Sequence, residues 1–337
     1  MIPDLEIGLI GLGAVWIHRC VECGFRQIRP RLAKLDLEMI YGDDYFDPSK
    51  GHGFSEYGRQ RQRYEREAFF LLNSLRRSGQ EHGRFLEVGS GLGFLLNAVS
   101  RTSPWVVEGV ELSSFGAQYA RERFGLTIRN STLEDVRYPN GYFDFVVQKD
   151  LLEHVTNPRQ HLEETHRIMR SRSRLWLITP NGEADIRPLH VYKASLTKDV
   201  VPVMDQGHLS FFSRPQLIRL AEEVGFRCIR FRNIGVRRGL RALGFLPGGR
   251  RRQPVISREE LEATVRHGRT QDVVSEMEKR NLYLELVSRI DREVERHHSS
   301  VRGSIPYFYY RHCIKFFDCL LACWTVGRDF DIVLEKV

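Results

Sequence analysis

Glu87 and Glu111 stand 24 residues apart in a chain of 337, and each ends or nearly ends a short run of strand-type residues, Phe85-Leu86-Glu87-Val88 and 106–110. Between them Gly89, Gly91 and Gly93 alternate with Ser90 and Leu92, and a helix-type segment opens near Phe94. Glycine lets a backbone turn tightly and approach a ligand closely, and a helix N-terminus offers N–H groups without partners. Loops of this kind cradle pyrophosphate in dinucleotide binders, where the helix end supplies the neutralisation and the strand needs no carboxylate. Glu87 therefore argues for a ligand that brings a cationic group. Glu111, at the end of the next strand, is placed to accept hydrogen bonds from both hydroxyls of a ribose.

Asp150, Glu153 and His154 have i, i+3, i+4 spacing, which on a helix puts all of them on one face. The expectation is that Asp150 caps that helix while Glu153 and His154 pack near the ligand, with no metal. His154 and His208 are the general-base candidates, because histidine can take a proton near neutral pH. Gly207 and Phe211-Phe212 around His208 suggest a pocket wall. Cys20 and Cys23 form half of a zinc-ribbon ligand set. Even with His18 as a third candidate the upstream pair is absent, so the expectation is a degenerate ribbon without zinc. The stretch Ile7-Gly8-Leu9-Ile10-Gly11-Leu12-Gly13 looks like the start of a nicotinamide-dependent dehydrogenase. That fingerprint needs a following helix and a later acidic strand end, whereas Cys20, Cys23 and Pro30 come next. Two alternatives stay open: an NAD(P)-dependent oxidoreductase built on these glycines, and a non-catalytic interaction module.

The elements that must position these groups follow from periodicity. Strand-type runs at 85–88, 106–110, 143–147, 175–179 and 228–231 alternate with helix-type segments, which predicts a parallel sheet with crossover helices. The chain divides into an N-terminal extension (1–80) with the half ribbon and a helix over 59–77, a ligand-binding α/β domain (81–235), a helical insertion or lid (236–326) and a closing strand (327–337). In the 59–77 helix the apolar residues Phe69, Leu71, Leu72 and Leu75 have near-helical spacing among charged neighbours. The insertion opens on a loop, Pro247-Gly248-Gly249-Arg250-Arg251-Arg252. Its arginines at 237, 238, 241 and 250–252 read either as a solvated basic loop or as a rim favouring an anionic substrate or an anionic membrane surface. Amphipathic stripes follow at 259–296 and 307–324.

Hydrophobic content of 42% and charged content of 28% are those of a globular protein, and no apolar run approaches a membrane span. The net charge of +8 is a mild excess that selects no partner. The N-terminus lacks a basic, secretory-type start and the six cysteines show no disulfide framework. A cytoplasmic setting, peripheral to a membrane at most, is the expectation.

Residues 86–93 with Gly109-Val110-Glu111-Leu112-Ser113 resemble the first two motifs of class I S-adenosylmethionine-dependent methyltransferases. Ser131-Thr132-Leu133-Glu134-Asp135 is similar to the family's third motif, and Tyr138-Pro139-Asn140-Gly141-Tyr142-Phe143-Asp144 to its turn into the fourth strand. Asp150-Leu151-Leu152-Glu153-His154-Val155 and Gly207-His208-Leu209-Ser210-Phe211-Phe212 resemble the branch with ubiquinone-biosynthesis O-methyltransferases and sugar and natural-product methyltransferases. The chain departs from the family at Arg170-Ser171-Arg172-Ser173-Arg174, where Pro-Gly-Gly is usual. The resemblance implies a Rossmann-like methyltransferase fold with a mostly parallel seven-stranded sheet, and S-adenosyl-L-methionine as cofactor. Glu87, Gly89, Ser90, Gly91 and Gly93 would hold its methionine end, Glu111 and Leu112 the ribose, and Thr132 and Leu133 the adenine, with Gln148 also at the site. Tyr41, Tyr45, Phe46 and Tyr57 are candidates to cover the sulfonium. In ubiquinone-type relatives the acidic and histidine residues of the Asp150–His154 segment are associated with a divalent cation that positions a catechol-like substrate. The implied acceptor is a small molecule or a glycan- or lipid-linked group rather than nucleic acid, with peripheral membrane contact and a homodimer as further expectations.

Overall fold

The structure, a computed structural model, describes residues 1–9, 13–32, 37, 43–46, 60–193, 200–202, 207–235, 255–257, 259, 292 and 328–337. The basic loop, the stripes at 259–296 and 307–324, Tyr41 and Tyr57 lie outside the described residues, apart from single positions.

Three antiparallel strands, β1 (Ile2–Leu9), β2 (Gly13–Arg19) and β3 (Arg26–Arg29), open the chain. Helix α1 (Arg61–Arg77) follows. The α/β body then runs β4 (Arg84–Val88), α2 (Phe94–Thr102), β5 (Val106–Glu111), α3 (Ser114–Phe124), β6 (Thr127–Asn130), α4 (Leu133–Val136), β7 (Phe143–Lys149), α5 (Pro158–Ile168), β8 (Met169–Pro180) and α6 (Gly182–Lys193). It is completed by β9 (Val200–Pro202), β10 (Ser210–Phe211), α7 (Arg214–Val224), β11 (Phe226–Ile234), β12 (Val255–Ser257) and β13 (Asp329–Lys336).

Seven strands form the central sheet in the order β11-β13-β8-β7-β4-β5-β6, with β13 antiparallel to both β11 and β8. The pairings of β4 with β5 and β7, of β5 with β6 and of β7 with β8 are all parallel. The expected closing strand thus returns to the sheet, slotted between β11 and β8. From β4 the chain winds through β5 and β6 and then returns to β7 on the other side of β4. Such a reversal opens a crevice at the carboxyl ends of the strands, where ligands of open α/β sheets bind.

The two faces of the sheet carry separate cores, as strand pleating requires. Phe85, Phe145 and Val147 face α1, α2 and α3, whereas Leu86, Val146, Leu175 and Leu177 face α5 and α7. Helix α1 buries Tyr64, Ala68, Leu72 and Leu75, a clean i, i+4, i+8, i+11 stripe. Phe69, in the densest apolar run of the helix, is 62% exposed, because the stripe that meets α2 starts at Tyr64.

β1 and β2 pair antiparallel from Ile2↔Arg19 to Leu9↔Gly13, so the glycine-rich N-terminus is a hairpin with no crossover helix. That geometry removes the dinucleotide reading of these glycines, since the loop must open a helix to hold pyrophosphate. Cys20 and Cys23 sit as free thiols in the β2–β3 turn. β10 joins this small sheet through Ser210↔Gln27 and Phe211↔Arg26, and Leu5, Ile7, Ile17 and Ile28 pack with Ile186, Leu189 and Phe211. At the point where the family has Pro-Gly-Gly, β8 begins early and bulges: Phe143 pairs with Met169 but Phe145 with Arg174, with Arg172 at φ 62°.

Candidate functional site

Val88 delivers the chain into a loop with Gly89, Gly91 and Gly93 at φ 74°, 54° and 75°, the left-handed region that side chains disfavour. The amides of Gly89 and Ser90 donate to Val110 O at 2.8 and 3.1 Å, which locks the loop to the end of β5. A Cβ on Gly89 would meet Leu151 Cδ1 at 3.2 Å, and one on Gly93 would meet Ala120 Cβ and Leu126 Cδ1 at 2.8 Å. Gly93 is thus needed where α2 packs against α3, Gly89 where the loop nears the chain after β7.

Glu111 is buried and turned back onto this loop. Its Oε2 accepts the Gly91 N–H at 2.7 Å and its Oε1 the Ser113 N–H at 2.8 Å. Burial raises its pKa, opposed by these backbone donors. Glu87 is held still higher, well above the carboxylate range, by burial that the Lys149 ammonium only partly offsets. Its Oε2 is buried and has no hydrogen-bond partner among the described residues. A buried carboxylate oxygen in that state is costly until a donor reaches it.

These groups line a cavity of about 460 Å³ at the carboxyl ends of β4, β5 and β7. Of the residues expected at the cofactor, Glu87, Gly89, Gly91, Glu111, Leu112, Thr132 and Leu133 line it, as do Tyr45 and Phe46 from the extension. Ser90 and Gly93 lie in the loop behind the lining. Gln148 points to the opposite face of the sheet, where its Nε2 donates to Thr165 Oγ1 at 2.7 Å. The next residue, Lys149, lines the cavity instead. Strand parity would have found it, since Phe145, Val147 and Lys149 share a face with Phe85 and Glu87. Thr132 caps α4 by accepting the Asp135 N–H at 3.3 Å. His161, absent from the sequence reading, lines the same end with Nδ1 2.9 Å from Glu134 Oε1. A wider open groove of about 630 Å³ runs along β6 between Glu108 and Tyr142. It lies away from the glycine loop, and none of the groups described above lines it.

The Asp150-Glu153-His154 helix expected from spacing does not form. Asp150 takes φ 50° at the end of β7, and Glu153 and His154 fall in a three-residue 3-10 turn, Leu152–His154. Asp150 and His154 line the cavity, but the close partners of His154 are Glu153 and His208. The His154 and His208 rings lie 4.9 Å apart, and His154 Nε2 is 3.7 Å from Glu153 Oε1. One ligand-type atom from each of Glu153, His154 and His208 falls within 4.8 Å of the others. Each residue is also tethered from behind. Thr179 Oγ1 donates to Glu153 Oε2 at 2.9 Å, His154 Nδ1 meets Gly207 O at 3.2 Å, and His208 Nδ1 meets Asp185 Oδ2 at 2.8 Å.

Their electrostatics diverge accordingly. Burial pushes Glu153 up to about 8. Burial, reinforced by His208, pulls His154 down to about 3. Burial would lower His208 as well, but Asp185 outweighs it and holds the imidazole above its usual value. The segment carrying His208 is fixed by the N-terminal sheet: Ile28 N donates to Leu209 O at 2.9 Å, and Leu209 N to Glu153 O at 2.7 Å. Gln27 Nε2 adds bonds to Ser210 Oγ and Thr156 O, both at 3.2 Å. The extension therefore builds the wall behind the histidine pair, a long-range role that no local signal in residues 1–30 announces.

A comparison with protein families matches residues 57–230, just over half of the chain, to the family described as "Methyltransferase domain". Among curated proteins, the chain is 26% identical over 171 residues to 2-methyl-6-phytyl-1,4-hydroquinone methyltransferase 2, chloroplastic, of Oryza sativa subsp. japonica, covering 49% of this chain and 45% of that protein. It is 26% identical over 147 residues to ubiquinone biosynthesis O-methyltransferase of Ruegeria sp. (strain TM1040), covering 42% of this chain and 59% of that one. The chain thus spans about half the length of these relatives. Among solved structures it is similar to geranyl diphosphate C-methyltransferase from Streptomyces coelicolor A3(2), at 14% identity and a TM-score of 0.43 over 81% of this chain and 80% of that one. With the family match over the glycine loop, the parallel sheet and the histidine segment, the chain belongs to the class I S-adenosylmethionine-dependent methyltransferase family.

Proposed function

We propose that this protein transfers the methyl group of S-adenosylmethionine to an oxygen, nitrogen or carbon nucleophile of a small molecule or of a glycan- or lipid-linked acceptor. The observation that carries the cofactor reading is the unpartnered Oε2 of buried Glu87 in a residue that lines the cavity, 24 positions before Glu111. A ligand bearing an ammonium supplies the donor that Glu87 lacks, and a pyrophosphate does not. The residues present fit the cofactor: Glu87 and the Gly89–Gly91 loop at the amino-acid end, Glu111 and Leu112 at the ribose, and Thr132 with Leu133 at the adenine.

When bound, S-adenosylmethionine supplies a sulfonium-activated methyl group. The chain's own contribution is to position the acceptor, to keep water out and to receive a proton. His154 is the residue we assign to the last task. Its Nδ1 faces the carbonyl of Gly207, so in the neutral ring the proton sits on Nδ1 and Nε2 is left as acceptor. Depression of its pKa to about 3 keeps it neutral at physiological pH. His208 does not line the cavity and supports His154 from behind, paired with Asp185. Tyr45 and Phe46 offer aromatic cover on the side of the extension.

We take the reaction to need no metal, with Asp185 on His208 Nδ1 and Thr179 on Glu153 Oε2 fixing the side chains that surround His154. One observation favours a second reading, a divalent cation that orients the acceptor: the convergence of Glu153, His154 and His208 within 4.8 Å. Titration with S-adenosylhomocysteine and with NADH tests the function directly. Binding of the first and not the second is expected, and the reverse would overturn the proposal. No helix among the described residues is long and apolar enough to cross a membrane.

A further inference from the structure

Lys149 is the buried charge that the proposed reaction leaves unused. It ends β7 at 6% exposure, lines the cavity, and interacts electrostatically with Glu87. Its Nζ lies 2.7 Å from Glu67 Oε2 and 4.0 Å from the ring centre of Tyr64, both on α1. Glu67 is shared, since its Oε1 accepts from Arg63 Nε at 2.8 Å. Burying an ammonium costs several kcal/mol unless its donors are matched, and an ammonium has three donors. Glu67 takes one. The ring of Tyr64 faces the charge without replacing a hydrogen-bond acceptor. Asp150 also lines the cavity and draws Lys149 electrostatically, but forms no hydrogen bond with it.

An acidic and a basic group therefore line one cavity: Glu87, whose Oε2 has no donor among the described residues, and Lys149, whose ammonium has donors beyond the one that Glu67 takes. A single cation or a single anion would satisfy one of them and leave the other. An α-amino acid end, which carries both an ammonium and a carboxylate, satisfies both. We propose that Lys149 is the anchor for the carboxylate of the cofactor's amino-acid end, aimed by Glu67 and Tyr64 of α1. The N-terminal helix thereby sets the preference for ligands that carry that end. The inference deepens the cofactor reading and rests on it.

The test uses two ligands that differ only in that end: S-adenosylhomocysteine, and 5′-methylthioadenosine, which keeps the nucleoside and thioether. Equilibrium binding is measured with the full chain for the wild type, Lys149→Met, Lys149→Arg and Glu67→Gln, with thermal melting as the check of folding. Lys149→Met should weaken S-adenosylhomocysteine by about 10- to 100-fold, the range of a hydrogen bond to a charged group, and leave methylthioadenosine within about twofold. Lys149→Arg, which keeps the charge, should retain the wild-type preference between the two ligands, and Glu67→Gln should lower it in part. Equal losses for both ligands in Lys149→Met, or no loss for S-adenosylhomocysteine, would overturn the proposal and leave Lys149 as a tie between β7 and α1. If Lys149→Met does not fold, a Glu67→Gln protein with unchanged preference overturns it equally. A wild type that binds neither ligand would instead refute the cofactor reading beneath it.

Discussion

Glu111 holds the glycine loop as well as facing the cavity: its Oε2 accepts the Gly91 N–H at 2.7 Å while its Oε1 accepts from Ser113. The carboxylate is thus oriented before any ribose arrives, and its position is set by the loop that carries the other end of the ligand. Glu111→Ala should cost about 1.5–3 kcal/mol of S-adenosylhomocysteine binding, as for a hydrogen bond to a charged group. Glu111→Gln, which keeps one acceptor for Gly91 or Ser113, should lose less. Calorimetry that shows the alanine variant binding as tightly as the wild type would place the ribose elsewhere.

Gly93 and Gly79 share φ 75° but not their surroundings, and that separates backbone strain from packing. At Gly79 an added Cβ meets nothing within 4 Å, so Gly79→Ala should cost only the left-handed penalty of about 1–2 kcal/mol. At Gly93 the same Cβ falls 2.8 Å from Ala120 Cβ and Leu126 Cδ1, inside the α2–α3 contact. Overpacking adds about 1–3 kcal/mol there. Denaturant unfolding of the two variants should therefore rank Gly93→Ala clearly below Gly79→Ala, and equal stabilities would mean that the contact relaxes at no cost.

How much of this site the sequence announces depends on the range of the contacts. The glycine loop, Glu87 and Glu111 are legible because strand ends and a helix start fix them locally, and the sheet's parallel winding follows from the alternation of elements. The N-terminal hairpin has a local basis in the alternation of Leu5, Ile7 and Leu9, but the expectation for the extension is a half ribbon followed by a helix. The spacing of Asp150, Glu153 and His154 misleads because i, i+3, i+4 neighbours share one face only if a helix forms. Here Asp150 adopts φ 50° and the next helix starts only at Pro158. The pairing of Glu153 with Thr179 and of His208 with Asp185 was invisible, since it depends on how β8 and α6 pack against the turn. Pleat parity alone separates Lys149, which lines the cavity, from Gln148, which the resemblance implies there.

The buried carboxyl of Glu153 makes a pH prediction whose sign is fixed. Its folded pKa, pushed up to about 8, lies above the usual value of about 4.5, so the group's contribution is fully present below the unfolded value and is lost as pH rises toward 8. His208, also raised, acts in the same direction above about 6.5, as do Glu87 and Glu111 above the carboxylate range. His154, pulled down to about 3, acts in the opposite direction up to about 6.5, so the wild type should be less stable at pH 8 than at pH 6.5. Glu153→Gln keeps an acceptor for Thr179 but cannot ionise, so its stability should fall less over that interval. Urea unfolding at the two values checks this, and an identical fall in both proteins would show that Glu153 does not titrate in the window.

His154 separates the metal-free reading from the metal reading. If it receives the acceptor's proton unaided, His154→Asn should lower kcat by about 10²-fold, the low end for a positioned base, because a group held near 3 takes a proton less readily than one matched to the working pH. S-adenosylhomocysteine affinity should stay within about twofold, because neither Glu87 nor Glu111 is disturbed. Turnover should survive prolonged chelation, and elemental analysis of the purified protein should show no stoichiometric divalent ion. The pH profile offers a second discriminator: a base held near 3 leaves no acidic limb between pH 5 and 8, whereas a cation on Glu153, His154 and His208 competes with protons for its ligands and imposes one. Chelator-sensitive turnover that returns with added divalent ion, together with an acidic limb that moves when Glu153 is replaced by Gln, would establish the cation and remove His154 as the base.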